Sequence, residues 1–165
     1  MDTLAESARP TTLSFDAAVL ALVRATDAKR GRSLAVVERM GRRGEMTPLH
    51  VHPEDEVVYV VEGALTLFVE DEPVRLEAGD SFAAPRGIPH TLVVESREVH
   101  YLSATAARSA ARYEDFLRAV ALPAEGSPLS WQESGDSSRL AAIAAPNGIA
   151  VLGAPGAAVT RRVEG

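Results

Sequence analysis

Between residues 33 and 104 the chain is a succession of short apolar runs rich in Val, Leu, Tyr and Phe, each closed by Gly, Pro, Asp or Glu. Such runs, with β-branched and aromatic side chains and close punctuation, are the pattern of an all-β domain, because a pleated strand alternates its faces and stops where the backbone must turn. The pattern predicts strands over 33–40, 56–62, 64–70, 74–76, 81–84, 91–94 and 98–103, with hairpin turns at Glu62-Gly63 and at Asp71-Glu72-Pro73. Many short, evenly spaced strands favour a barrel or a sandwich. Upstream, 19–24 reads as a further strand feeding the same sheet, although the alanines and leucines of 16–23 fit a helix as well.

After residue 110 the period changes. Tyr113, Phe116, Leu117 and Val120 recur at i, i+3, i+4 and i+7, one face of an amphipathic helix that is expected to pack on the outside of the barrel. Pro123, Gly126 and Pro128 mark 122–130 as a loop. A second short helix follows, with Asp136, Ser137 or Ser138 as its cap, Leu140, Ile143 and Ala144 as its apolar face, and Pro146-Asn147-Gly148 as its stop. The stretch 148–159 is apolar but broken by glycines, and 161–165 reads as a frayed end. The organisation is therefore an N-terminal segment over 1–32 that adds to the barrel, the barrel itself over 33–104, and a C-terminal helical extension over 105–165.

Composition narrows the chemistry. A chain of 165 residues, 46% of them hydrophobic, suffices for one domain with a sizeable core. The absence of cysteine excludes disulfides, thiolate metal sites and cysteine nucleophiles, so a metal ion would have to be held by His and carboxylate. Met1-Asp2-Thr3-Leu4-Ala5-Glu6 lacks a basic region followed by an apolar run, and no stretch reaches the ~18 apolar residues of a membrane span, so the expectation is a cytoplasmic protein with no membrane partner. The formal charge is −6, and no cationic block is longer than residues 29–32 or the pair Arg42-Arg43, which argues against nucleic acid because phosphate neutralisation needs clustered cations. A small molecule is the expected partner.

The chain has four histidines, and three fall in two punctuated segments. In the first, Gly44, His50, His52, Glu56 and Gly63 are separated by five, one, three and six residues; in the second, Gly79, Pro85, Gly87 and His90 by five, one and two. Alternate strand residues share a face, so His50 and His52 present two imidazoles side by side. The turn at Pro53-Glu54-Asp55 reverses the chain, Glu56 opens the next strand, and His90 follows a Pro-Gly turn with a third imidazole. Three nitrogens and one oxygen form a borderline donor set that suits Fe, Ni, Co, Mn, Cu or Zn without choosing among them. Separately, each histidine would read as a surface residue and Glu56 as one charge of a solvated acidic run; four together read as one divalent transition-metal site. Glu54 and Asp55 read as solvated turn residues, His100 as a surface or interface histidine. Gly63 and Gly87 stand where turns need positive φ, while Gly44 and Gly79 are expected to permit close approach of strands. Strand parity turns Tyr59 outward and Val58, Val60, Leu92 and Val94 inward, with Phe82 and Met46 near the mouth of an apolar pocket. Phe116 and Trp131 would cover that mouth or hold the helices.

The two segments resemble both motifs of the cupin superfamily: five of five defining positions in the first and four of five in the second, the departure being Val94 where the family often has Asn. The resemblance implies a double-stranded β-helix, or jelly roll, with the metal inside the barrel. The runs His50-Val51-His52-Pro53-Glu54-Asp55-Glu56 and Pro85-Arg86-Gly87-Ile88-Pro89-His90, with the tail Arg112-Tyr113-Glu114-Asp115-Phe116, are similar to the quercetin-dioxygenase-like group. Its implied activity is a metal-dependent dioxygenase acting on a small enolisable aromatic hydroxy-ketone, flavonol- or polyketide-like, with the metal as Lewis acid and O2 site, His50, His52 and His90 as ligands, and Glu56 as ligand and general base. A non-redox isomerase or cyclase, and a binding module without catalysis, are the competing expectations, because one fold hosts many functions. The resemblance also implies a homodimer.

Overall fold

Alternation along each strand divides the chain into two sheets. The computed structural model describes residues 11–15, 18–27, 32–107, 115–116, 119 and 137–155. Its strands are β1 (Thr11–Phe15), β2 (Ala18–Asp27), β3 (Arg32–Arg42), β4 (Pro48–Val51), β5 (Asp55–Glu62), β6 (Ala64–Val69), β7 (Glu72–Glu77), β8 (Ser81–Ala84), β9 (His90–Val94), β10 (Glu98–Ala107) and β11 (Ala150–Pro155). Helix α1 (Ser137–Ala144) precedes β11. One sheet has the order β1-β2-β3-β10-β5-β8 and the other β11-β4-β9-β6-β7. Every pairing is antiparallel. This is the jelly roll.

On β5, Glu56, Val58 and Val60 are buried while Val57, Tyr59 and Val61 are exposed, so a single strand presents a carboxylate and two valines to the interior. The core joins Val58, Val60, Val99 and Tyr101 of one sheet to Leu65, Leu67, Leu76, Leu92 and Val94 of the other. Face-to-face burial of this alternating set holds the sheets together, since each apolar face is removed from water only by the other.

Several boundaries differ from those read in the sequence. Residues 18–27 form strand and not helix; β2 pairs with β3 from Ala21↔Glu38 to Asp27↔Arg32. β1 and β11 were not among the expected strands. β11 pairs with β4 through register shifts around Gly153, so the glycine-broken pattern that hid it is also what bends it. In the second helical segment the expectation holds: Leu140 and Ala144 are buried, α1 packs against β11, and Gly148 ends the turn at φ 76°. Asp115, Phe116 and Ala119 are helical and Phe116 is buried, while Tyr113, Leu117, Val120, the 122–130 loop and Trp131 lie outside the described residues.

The turn expected at Glu62-Gly63 is not a hairpin. β5 and β6 belong to different sheets, and the chain crosses between them at Gly63. The hairpin expected at Asp71-Glu72-Pro73 does join β6 to β7, turning one residue earlier through Glu70 and Asp71, at φ 50° and 70°, the pair of positive φ values of a two-residue turn matched to strand twist. Gly44 and Gly79 also have positive φ, but a Cβ there would meet nothing, so turn conformation and not close approach requires them. Close approach occurs at Gly63, where φ is 85° and a Cβ would sit 2.3 Å from the Glu98 carbonyl oxygen and 3.0 Å from Val99 Cα. Gly63→Ala must therefore strain the backbone and displace β10, and should lower unfolding free energy by at least about 2 kcal/mol. A wild-type denaturant midpoint for the variant would contradict this account of the crossing.

Candidate metal centre

The four candidate side chains come from both sheets. His50 on β4 stands directly opposite His90 on β9. His52 lies just past the end of β4, and Glu56 is the second residue of β5 on the facing sheet. Their donor atoms all lie within 4.8 Å of one another. The imidazole centroids of His50 and His90 are 4.4 Å apart, those of His52 and His90 4.9 Å, and those of His50 and His52 5.6 Å. His52, Glu56 and His90 are buried and His50 is half-buried.

Each ring is oriented by the backbone beside it. His50 Nδ1 is 2.8 Å from the Pro48 carbonyl, His90 Nδ1 is 2.8 Å from that of Ile88, and His52 Nδ1 is 3.1 Å from that of Glu54. A carbonyl oxygen only accepts, so each Nδ1 is the donor and each Nε2 of a neutral ring carries a lone pair. His52 Nε2 lies 3.0 Å and His90 Nε2 3.2 Å from the same atom, Glu56 Oε2. Lone pairs and a carboxylate at these separations need positive charge between them, and a proton or a metal cation supplies it.

The electrostatics follow from that geometry. Burial, with the neighbouring His90, lowers His50 to about 3. Burial would also lower His52, but hydrogen bonds to Glu54 and Glu56 outweigh it and raise the ring to about 9, so a proton rests between His52 and Glu56. Burial would raise Glu56, yet its hydrogen bonds with His52 and His90 hold the carboxyl well below the usual range. A divalent ion would replace that proton, and the donor set fits one: three imidazoles held in the ligating tautomer by their second nitrogens, with one carboxylate.

Three features around the cluster escaped sequence reasoning. Ser103 on β10 donates to Glu56 Oε1; parity along β10 was the available signal, because Tyr101, Ser103 and Thr105 are all buried on one face. Glu54 is not a solvated turn residue. The residue is 3% exposed, with Oε2 3.4 Å from His52 Nδ1, because the turn that reverses the chain folds it behind the imidazole. Asp55 is not simply solvated either: it accepts from the Arg86 backbone N–H at 3.0 Å and pairs with the guanidinium at 2.5 Å, which holds the Asp55 carboxyl below its ordinary range. With Gly87 N–H donating to the His52 carbonyl at 2.9 Å, this pair ties the loop before His90 to the segment bearing His52 and Glu56. His100 stands apart from the cluster, 2.6 Å from Glu38.

A cavity of about 550 Å³, counted with its open mouth, adjoins the cluster. Val58 and Leu92 line it as parity predicted, whereas Val60 and Val94 belong to the core behind it and Phe82 packs against that core. Met46 bridges to Val93 and does not line the cavity. Leu67, Tyr101, Phe116, Ile149 and Val151 complete the apolar wall, and Arg39 adds a cation. Phe116 therefore faces the cavity and does not only pack outside the barrel. Among the described residues no helix is long and apolar enough to cross a membrane.

Residues 37–105 match the family model described as "Cupin domain". The chain is 32% identical over 87 residues to quercetin 2,3-dioxygenase of Bacillus subtilis (strain 168), an alignment that covers 52% of this chain and 26% of that protein. Among solved structures, oxalate decarboxylase of Bacillus subtilis superposes with a TM-score of 0.53 at 19% identity, over 64% of this chain and 30% of the other. An RmlC-like cupin from Shewanella frigidimarina gives a TM-score of 0.49 at 19% identity, over 64% of this chain and 91% of the other. With the two-sheet architecture and the matched motifs, residues 37–105 form a cupin domain, and it resembles the quercetin-dioxygenase-like group.

Proposed function

We propose that this protein is a metal-dependent dioxygenase acting on a small enolisable aromatic hydroxy-ketone, with His50, His52, Glu56 and His90 as the ligands of one divalent transition-metal ion. The observation that carries the reading is the convergence of four donor atoms within 4.8 Å, with every imidazole held by Nδ1 on a backbone carbonyl. The likeness to quercetin 2,3-dioxygenase, limited to about a quarter of that protein, supports the choice of reaction class. A bound transition-metal ion would supply Lewis acidity toward an enolate oxygen and, if redox-capable, O2 chemistry.

The chain's own residues do the rest. The three imidazoles keep their lone pairs pointed at one place because each second nitrogen is committed to a carbonyl. Glu56 is anchored through Oε1 by Ser103 and lines the cavity, where its carboxylate would take the hydroxyl proton of a substrate. Val58, Leu67, Leu92 and Phe116 exclude water from an apolar body lying beside it.

Elemental analysis of the purified protein, paired with oxygen uptake on a panel of flavonols and related hydroxy-ketones, tests the reading. One redox-capable ion per chain with substrate-dependent uptake is the expected result. An ion with no uptake, and turnover that persists under nitrogen or with zinc, would replace it with a non-redox isomerase or cyclase. Glu54 bears on the ligand set independently: Glu54→Gln removes the carboxylate behind His52 and should weaken metal affinity about 10–100-fold. Unchanged affinity in a chelator competition would show that the backbone carbonyl alone orients His52.

A further inference from the structure

The interior-facing residues of β3 are Ala35, Val37 and Arg39, and the first two are buried core residues at 5% and 0% exposure. By the same parity the third position belongs to an aliphatic side chain, because a guanidinium facing a barrel interior carries a large desolvation cost. Arg39 instead lines the cavity of the candidate metal centre. Among the described residues lining that cavity it carries the one guanidinium or ammonium group. Its task is not to neutralise Glu56, whose oxygens are already engaged by His52, His90 and Ser103.

Tyr101 is the partner that gives this cation a direction. It stands directly opposite Arg39 in the β3–β10 register, on the same face of the sheet, and both line the cavity. A guanidinium only donates and a phenol hydroxyl can donate too, so both side chains can donate to one anionic acceptor. Burial pushes the Tyr101 phenol up, which keeps its hydrogen in place at neutral pH. Two residues further along the same face of β10, roughly 7 Å away by strand rise, Ser103 holds Glu56. The lining of the cavity thus combines a donor pair, the His/Glu cluster and apolar walls.

We infer that the substrate is an apolar acid: a carboxylate gripped by Arg39 and the Tyr101 hydroxyl, on a hydrophobic or aromatic body whose reacting end faces Glu56. A planar guanidinium matches a carboxylate with two parallel hydrogen bonds, and exclusion of water strengthens both. The inference rests on the enzymatic reading of the same site and adds an acid group to the hydroxy-ketone that reading names.

Benzoate and its neutral isostere benzamide are the probes. Each is titrated calorimetrically into the full chain, once metal-free and once reconstituted with zinc, with metal content measured on the same samples. Wild type should bind benzoate at least tenfold more tightly than benzamide in both forms. Arg39→Met should erase that preference while leaving benzamide unchanged, and Tyr101→Phe should reduce it several-fold. If Arg39→Met fails to give a cooperative melt, Arg39→Lys takes its place: it keeps the charge, loses the fork and should weaken benzoate binding at least threefold. Equal binding of the two probes, no benzoate binding by wild type, or a preference that survives loss of the guanidinium would overturn the inference. An Arg39-dependent preference in a protein that takes up no metal would sustain it while removing the dioxygenase reading; zinc uptake without any preference would do the reverse.

Discussion

His50→Ala combined with His90→Ala is expected to yield a folded chain whose metal content falls below about a tenth of wild type. These two imidazoles face each other across the β4–β9 pairing and have the closest ring centroids of the three, 4.4 Å. Structural Zn2+ held by four protein donors in zinc-finger peptides binds with apparent free energies of about 10–16 kcal/mol; on that scale, removing half the donors forfeits roughly 5–8 kcal/mol, or more than a thousandfold in affinity. The fold should survive because the core that joins the sheets is built from residues other than these two, and because truncation removes the two facing rings together and leaves neither opposite an uncompensated partner. The controls matter as much as the variant. His100→Ala should leave metal content unchanged, since His100 pairs with Glu38 and lies outside the cluster. Elemental analysis with a thermal melt in chelator separates loss of ligands from loss of structure. Full occupancy in the double variant would sink the ligand assignment, and a melt lowered equally with and without chelator would reassign the two histidines to the scaffold.

What the sequence disclosed, and what it withheld, follows from the range over which each signal acts. Strand alternation is local, so Glu56, Val58 and Val60 on one face of β5 could be anticipated from period two alone, whereas the pairing that sets His50 opposite His90 could not. The sheet to which a strand belongs is not local. Glu62-Gly63 looks like a hairpin turn in sequence, yet the glycine serves a crossing between sheets, and only the Glu98 carbonyl packed against it reveals why. Glu54 was misread because an acidic run looks solvated until the turn folds one member behind His52. Ser103 and Arg39 sit at positions that parity turns inward, but their types gave no warning, since a small hydroxyl and a long cation are ordinary on a strand's outer face. β11 was hidden by glycines, and its pairing with β4 brings Val151 opposite His50. The parts that escaped are thus those fixed by contacts between distant segments, and they concentrate around the cavity.

Glu56→Gln should separate holding an ion from moving a proton. The amide keeps the volume of the carboxylate and an oxygen that can accept from Ser103, and the three imidazoles keep their carbonyl partners, so at least about half of the wild-type metal should remain. What the amide cannot do is take a proton at Oε2. General-base catalysis is commonly worth about 10²–10⁴-fold, and kcat on an active hydroxy-ketone should fall within that range while KM changes little. Ser103→Ala offers a graded comparison: the carboxylate remains but Oε1 loses its anchor, so kcat should fall by about tenfold or somewhat more, as a hydrogen bond to a charged group contributes roughly 1.5 kcal/mol or somewhat more. Oxygen-uptake kinetics normalised to measured metal content decides the matter. A Glu56→Gln protein that keeps its ion and its full kcat would remove Glu56 from proton transfer and leave it a ligand only. A protein that loses ion and activity together would make the carboxylate chiefly a ligand whose charge the three histidines cannot replace.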